Sequence, residues 1–245
     1  RLVSKNMKFI RTHDHIYLTE NRYKKPKEMF KFIEKKAFKK ENHKKKLICD
    51  FGCAAGEFLY YLKKKRPSNE YYGADIKQDL LNKAKKFLPT VKFLKKLVLK
   101  KKSFPKKSFH KSFLCGVHPI FDQFEKCFSN LIYWTKSAGE IFIFDMFNQY
   151  PVDVLIKYRN SSDYNKQKDY ESGWNNFSRE SVSIFLNKQR RVKNFSFYEF
   201  EMPFDLKRQK DPVRSWTIKS KNKRLMINGL NIIQPQTLLI IKLRK

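Results

Sequence analysis

The sequence predicts an α/β fold: a doubly wound, mostly parallel sheet that takes on antiparallel strands and cap insertions in its second half. Short apolar runs alternate with amphipathic helical stretches between about residues 44 and 148, the pattern of strand–helix crossovers. Two of the early runs end in a single aspartate, Asp50 and Asp75, and a small-residue turn follows the first. Further on, Ile141-Phe142-Ile143-Phe144 is apolar at every position, as a strand covered on both faces must be.

Each element has its own signal. Between residues 26 and 40, Met29, Phe30, Ile33 and Phe38 recur near helical spacing among Lys and Glu, which predicts an amphipathic helix. Leu47-Ile48-Cys49 reads as a strand, Gly52 to Gly56 as a tight turn, and Phe58, Leu59 and Leu62 as one side of the next helix. A second strand covers residues 71–74, and Leu80, Leu81, Ala84 and Phe87 mark a helix that Pro89 stops. Strands follow at residues 91–94 and 112–117, then a helix over 121–134 that ends before Ser137-Ala138-Gly139. In the second half, residues 152–158 have strand character, 163–176 are polar and turn-rich, and Ser178 can cap a helix running to Leu186. Residues 192–202 form a strand, 216–227 a hairpin, and 238–243 a terminal strand.

The chain has 245 residues, a length for one domain. That domain is read as residues 44–245, with a helical or cap segment over 1–43 and insertions at about 150–177 and 203–237. Hydrophobic residues make up 41% and Phe alone 23 positions, enough to build a core and to exclude disorder. Lys and Arg number 55 against 23 Asp and Glu, a net charge of +32. The excess is mostly Lys, in runs such as Lys44-Lys45-Lys46 and Lys63-Lys64-Lys65, without the interleaved aromatics of a single-strand platform. It reads as a compositional background, so nucleic acid is a less favoured partner than a small molecule. The four cysteines have no CxxC spacing, and His13-Asp14-His15 has no further clustered ligand, so no metal site is expected. No apolar run reaches the length of a membrane span; a reduced, cytoplasmic protein is expected.

The segment Asp50-Phe51-Gly52-Cys53-Ala54-Ala55-Gly56-Glu57 carries the chemistry. Glycines let the backbone turn sharply and let a ligand approach the main chain, and the following helix start offers free N–H groups. In a doubly wound sheet Asp75 ends the neighbouring strand, where a carboxylate can accept both hydroxyls of a ribose. A dinucleotide fingerprint fits poorly, because Glu57 would take its third glycine; a P-loop lacks its Gly-Lys-Ser/Thr.

The pattern Asp-x-Gly-x-Ala-x-Gly resembles the first motif of class I S-adenosylmethionine-dependent methyltransferases. The resemblance extends through Asp75-Ile76, residues 113–118 and the strand at 139–144. It implies a seven-stranded Rossmann-like sheet with S-adenosyl-L-methionine as cofactor. Asp50 would then hold the methionine ammonium, and Gly52, Cys53, Ala54 and Gly56 would line that moiety with backbone. Asp75 would take the ribose, Ile76 would pack on the adenine, and Cys115, Gly116 and Val117 would floor the pocket near the sulfonium. Ala54 replaces the family's middle glycine, and the acid often found after the third strand is missing near Leu97-Val98.

His118 follows the fourth strand, where an imidazole can act as a general base. Asp145, Asn148 and Tyr150, with Glu171, Trp174 and Asn175, are candidates to face the acceptor. The expected activity is methylation of a small or sugar-type acceptor, at oxygen in preference to nitrogen. The alternatives are an RNA methyltransferase using the basic surface, or a non-catalytic protein that keeps the fold and binds nucleosides or RNA.

Overall fold

A computed structural model of the chain describes residues 12–39, 44–166, 169–208, 210–211, 213–229, 233–234 and 236–244. Seven strands form the main sheet: β1 (Leu47–Phe51), β2 (Glu70–Asp75), β3 (Lys92–Lys95), β4 (Phe109–Cys115), β5 (Thr135–Met146), β6 (Val192–Phe200) and β7 (Gln236–Leu243). Their spatial order is β3-β2-β1-β4-β5-β7-β6. Parallel pairing runs from β3 through β2, β1 and β4 to β5. β7 is antiparallel to both β5 and β6. The chain winds outward from β1 on one side and from β4 on the other, so a crevice opens at the carboxyl ends of these two strands.

The helices α1 (Glu28–Ala37), α2 (Glu57–Lys65), α3 (Gln78–Phe87), α4 (Glu125–Trp134) and α5 (Arg179–Asn187) cover the two faces. Successive strand side chains point to opposite faces, which divides the core in two. Phe113, Phe142, Phe144, Leu238 and Ile240 pack toward α1, α2 and α3. Their neighbours Leu114, Ile141, Ile143, Leu239 and Ile241 pack toward α4 and α5. Rings anchor both layers, with Phe113 stacked on Phe142 at 4.9 Å and Phe51 on Trp134 at 5.1 Å. Ser178 caps α5 as its sequence predicts, its side chain accepting the Ser181 N–H. Among the described residues no helix is long and apolar enough to cross a membrane.

The structure departs from the sequence reading in three places. β5 begins directly at the end of α4 and runs through Ser137-Ala138-Gly139, before the strand start expected from Gly139. The strand carries an irregularity opposite β4, between the pairs Phe109–Thr135 and Lys111–Glu140, and Ala138 takes a positive φ of 56°. Residues 152–158 reach a two-residue pairing, Lys157–Tyr158 with Glu171–Ser172, and an isolated antiparallel bridge from Val154 to Asn176. Val152, Val154 and Leu155 stay exposed, because strand character expresses fit to a half-buried pleated surface and no such surface is adjacent. The hairpin of Trp216–Ser220 with Lys223–Ile227 forms as expected, but in a separate three-stranded sheet completed by Ile233–Gln234.

Of the segment expected to precede the domain, residues 1–11 and 40–43 lie outside the described residues. Residues 12–27 lie as a strap across the start of α2 and along α3. Tyr23 donates its hydroxyl to Ala55 O at 2.6 Å and stacks on Phe87 at 3.8 Å. Lys83 of α3 donates to the carbonyls of Tyr17, Leu18 and Glu20.

Candidate functional site

A cleft of about 750 Å³ opens at the carboxyl ends of β1, β2, β4 and β5. Its floor is the turn after β1. Gly52 sits at φ +76° and donates its N–H to Ala74 O at 2.7 Å, which ties the turn to the end of β2. A Cβ at Gly52 would stand 2.3 Å from Val117 Cγ2, so any other residue there forces Val117 to shift. Ala54 also takes a positive φ, of 46°, in the left-handed region that a Cβ disfavours by about 1–2 kcal/mol. Asp75 holds it there: one carboxylate oxygen accepts the Ala54 N–H and the other the Lys77 N–H, each at 2.9 Å.

Nine of the ten residues expected to bind the cofactor line this cleft. They are Asp50, Gly52, Cys53 and Ala54 from the first turn, Asp75 and Ile76 from the second, and Cys115, Gly116 and Val117 after β4. Gly56 does not line it: it caps α2 with φ +75°, its N–H on Cys53 O, and packs toward Ala84 and Phe93. Ala55 and Glu57 reach the cleft on either side of it. Gly116 leaves the wall open, since a Cβ there would meet only Trp174, at 4.0 Å. Leu97 and Val98 line the wall beyond β3, so the missing acid is replaced by apolar side chains.

The interior is acidic although the protein is strongly basic. Asp50, Asp75 and Asp145 all face the cleft. Asp50 is 4% exposed, and no described residue offers it a hydrogen bond or an opposite charge. Burial, and then the nearby Asp75 charge, push its carboxyl well above the ordinary carboxylate value. Burial also raises Asp75, against the backbone N–H groups that hold it down. Such a site favours a cation that restores what burial removes. Burial and the Asp50 charge keep the thiols of Cys53 and Cys115 protonated, so neither is a ready nucleophile.

The strap and the two insertions wall the mouth. Trp174, from the first insertion, donates its indole N–H to Val213 O in the second at 3.2 Å. Arg214 joins Glu20 of the strap at 2.5 Å, and Lys27 and Arg22 approach the same carboxylate at 3.3 and 3.5 Å. Burial raises the Glu20 carboxyl, but the three cations outweigh it and hold it at about 2. This wall was not read from the sequence. Glu20 and Arg214 stand far apart in the chain, and no local pattern marks either.

Other candidates fall elsewhere. Asn148 is buried and bonds to Val152 O and the Tyr150 N–H; Tyr150 is exposed, and neither lines the cleft. Of Glu171, Trp174 and Asn175, Trp174 alone does; Asn175 is spent on Phe121 O and the Ile156 N–H. His118 is a correction. Its ring has no exposed surface, stacks on Phe147 at 4.9 Å and meets the Phe128 ring at 5.5 Å. The 3-10 turn His118–Ile120, with Pro119 in it, carries the ring behind Val117 into the aromatic layer. Its Nδ1 lies 3.7 Å from Asp145 Oδ2, beyond hydrogen-bond range, and burial pushes its pKa down to about 3.

Comparisons with known proteins agree with this architecture. A family model for a methyltransferase domain matches residues 42–202. No curated protein sequence matches the chain. Among solved structures, the chain resembles a protein of Pyrococcus horikoshii OT3 with a TM-score of 0.58 and 14% identity, over 93% of each chain. It resembles an S-adenosylmethionine-dependent methyltransferase of Methanosarcina mazei at a TM-score of 0.54 and 11% identity, over 81% of this chain and 92% of that one. The magnesium protoporphyrin IX methyltransferase of Synechocystis PCC 6803, solved with its cofactor, matches at 0.53 and 10% identity, over 89% and 79%. At such identities the structures speak for the fold, and the family model spans more than half of the chain. The chain therefore belongs to the methyltransferase domain family, as an enzyme of the class I S-adenosylmethionine-dependent methyltransferases.

Proposed function

We propose that the enzyme methylates a small acceptor at oxygen, with the cofactor lying along the ends of β1 and β2 and the acceptor under the two insertions. The observation that carries this is Asp50, a buried carboxylate without a partner in a cleft that Asp75 and Asp145 also line. The cofactor's ammonium and sulfonium are the cations such a cleft accommodates, so the residues fit the group. Asp50 would hold the ammonium, and the backbone of Gly52, Cys53 and Ala54 would line the methionine part. Gly56 would set the turn that presents them. A carboxylate has about four acceptor sites; Asp75 uses three on the backbone N–H groups of Ala54, Lys77 and Ile76, which leaves one for a ribose hydroxyl. Ile76, Leu97 and Val98 would enclose the adenine, and Cys115, Gly116 and Val117 would floor the reacting end. When bound, the cofactor supplies an electrophilic methyl group for in-line displacement.

The rest of the cleft describes the acceptor. Met29, Phe30, Phe200, Met202 and Met226 line it, with Ser215 and Gln236 as uncharged polar groups. This supports a compact acceptor with an apolar body and a hydroxyl more than a bare sugar. The Glu20–Arg214 crossing of the mouth speaks against RNA as the acceptor. Alignment supplies much of the rate for such a reaction. Asp145, at the end of β5, is the carboxylate placed to orient the acceptor hydroxyl and receive its proton; His118 packs behind it.

Two results are expected. Asp75→Asn should weaken cofactor binding about 10- to 150-fold by calorimetry, the loss of one charge-assisted hydrogen bond of about 1.5–3 kcal/mol. Unchanged affinity would remove the ribose from Asp75. His118→Gln should keep every inflection of the pH–rate profile between pH 5 and 9, because a ring with a pKa of about 3 is neutral throughout. An inflection near pH 6–7 that disappears in the variant would restore His118 as the base. The unfolded ring protonates below about pH 6.5 and the folded one only near 3. Its contribution to stability is therefore present above pH 6.5 and lost as pH falls through that window.

A further inference from the structure

The positive charge is segregated by the topology. On the cleft side of the molecule cations are matched with acids: Lys157 with Asp122, Lys219 with Asp205, Lys223 with Glu199, and Arg22, Lys27 and Arg214 with Glu20. The opposite end, where the parallel strands begin and the helices finish, also holds ion pairs, Lys45 and Lys92 with Glu70 and Lys111 and Lys242 with Glu140, but further cations there go unmatched. Lys64 and Lys65 end α2, Lys106 and Lys107 precede β4, and Arg190 and Lys193 flank the start of β6. All six are exposed, and none has an acidic partner among the described residues.

These cations belong to one continuous edge. Lys63 reaches Asn69 O, Asn69 Oδ1 accepts the Lys46 N–H, and His110 Nδ1 accepts the Leu47 N–H. Lys136 Nζ lies 3.5 Å from the other ring nitrogen of His110. Burial, and then Lys136, Lys46 and Lys111, depress the His110 pKa, a sign that several cations converge there. The edge continues through the end of α4. Lys107 donates its N–H to Tyr133 O, and the Arg191 guanidinium donates to Thr135 O. It ends in a groove of about 500 Å³ that includes Arg190, Lys193 and Arg244. Helix dipoles favour cations at helix ends, which accounts for Lys64 and Lys65. They do not account for Lys106, Arg190 or Lys193, which stand on loops and a strand.

We infer that this strand-start edge docks the phosphate backbone of a duplex nucleic acid, on the side of the molecule away from the methyl-transfer cleft. Seven strands at about 4.8 Å spacing span roughly 30 Å, close to one turn of duplex. Exposed large apolar side chains such as Tyr150, Leu155, Tyr164 and Tyr170 lie in the first insertion, and Phe87, which ends α3, is stacked on Tyr23. The edge therefore offers no wedge for a bilayer and no platform for unstacked bases, and shape and charge are what it reads. The nucleic acid is a support on which the enzyme sits, with the cleft left open to its own acceptor.

The test is binding to a 20-base-pair duplex, as RNA and as DNA, by fluorescence anisotropy across a salt series. Wild type should bind with a salt slope near −5, as about six neutralised phosphates give. Lys64→Glu/Lys106→Glu/Arg190→Glu should lose at least tenfold in affinity at 100 mM salt, with a slope shallower by about 2.7. The control Lys24→Glu/Lys25→Glu/Lys221→Glu carries the same change in net charge on exposed residues elsewhere. It should keep its slope and bind within about threefold of wild type. Equal losses in both triple variants would reduce the effect to net charge and overturn the proposal. So would binding to vesicles containing phosphatidylserine with no binding to either duplex. Circular dichroism melting of both variants separates misfolding from lost contacts, and cofactor affinity should be unchanged in both.

Discussion

Asp50→Asn should make the free protein more stable and nearly unable to bind its cofactor. The Asp50 carboxyl is buried without a partner and is raised by that burial and by Asp75. Ionising it on folding costs free energy, and the amide removes that cost. The sign follows from the raised value: the folded state holds a proton that the unfolded chain releases near pH 4. The penalty is absent at low pH and grows as pH rises above that value. At pH 7.5 the variant should therefore melt at a higher temperature than wild type. Losing one member of a buried charge pair costs about 2–5 kcal/mol, so cofactor affinity should fall about 30- to 5,000-fold. Wild-type affinity should also rise with pH as Asp50 ionises, and the variant should lose that dependence. Calorimetry and thermal melting on the same samples read both effects. A variant that binds normally would move the ammonium away from Asp50; one that is destabilised would mean that the carboxylate has a partner in the folded chain.

The parallel half was legible because its signals are local. Leu47 to Gly56 states a strand, its carboxylate and its turn within ten residues, and the next helix follows at once. The alternation of Phe and Ile in β5 anticipates the two core layers that the structure divides between Phe142 and Ile143. Asp75 could be placed against the turn before any coordinates, because strand order brings the ends of β1 and β2 together. The hydrogen bond from Ala54 N–H to Asp75 is that proximity made concrete.

What was illegible depends on contacts between distant segments. Glu20 gathers Arg214 from a loop at the other end of the chain, and Lys83 of α3 receives the strap's carbonyls. Neither partner carries a sequence signal, since a lone Glu or Lys on an exposed stretch looks solvated. His118 failed for a different reason. Its position after β4 was right, but one turn of 3-10 helix decides whether the side chain enters the cleft or the aromatic layer behind it. The charge was also under-read: a count of +32 says nothing of where the charges go, and topology brings six exposed, unmatched cations to one edge.

Gly52→Ala should be among the most damaging single changes in the chain, and the reason can be divided experimentally. Two costs add. A φ of +76° places the new Cβ in the left-handed region, at about 1–2 kcal/mol. The same Cβ would stand 2.3 Å from Val117 Cγ2, so Val117 must shift, at about 1–3 kcal/mol. Urea unfolding should therefore show a loss of about 2–5 kcal/mol. Gly116→Ala isolates the first cost, because its φ is +70° but its added Cβ meets only Trp174 at 4.0 Å. It should lose about 1–2 kcal/mol and narrow the cleft. Val117→Ala in the Gly52→Ala background isolates the second. Removing both γ-methyls clears the clash and leaves the dihedral strain, so the double variant should be less destabilised than the sum of its parts by about 1–3 kcal/mol. Strict additivity would mean that the turn yields around Gly52 to accommodate the added methyl. In that case the floor of the cleft is a deformable loop, and Asp50 and Asp75 alone fix where a cofactor can lie.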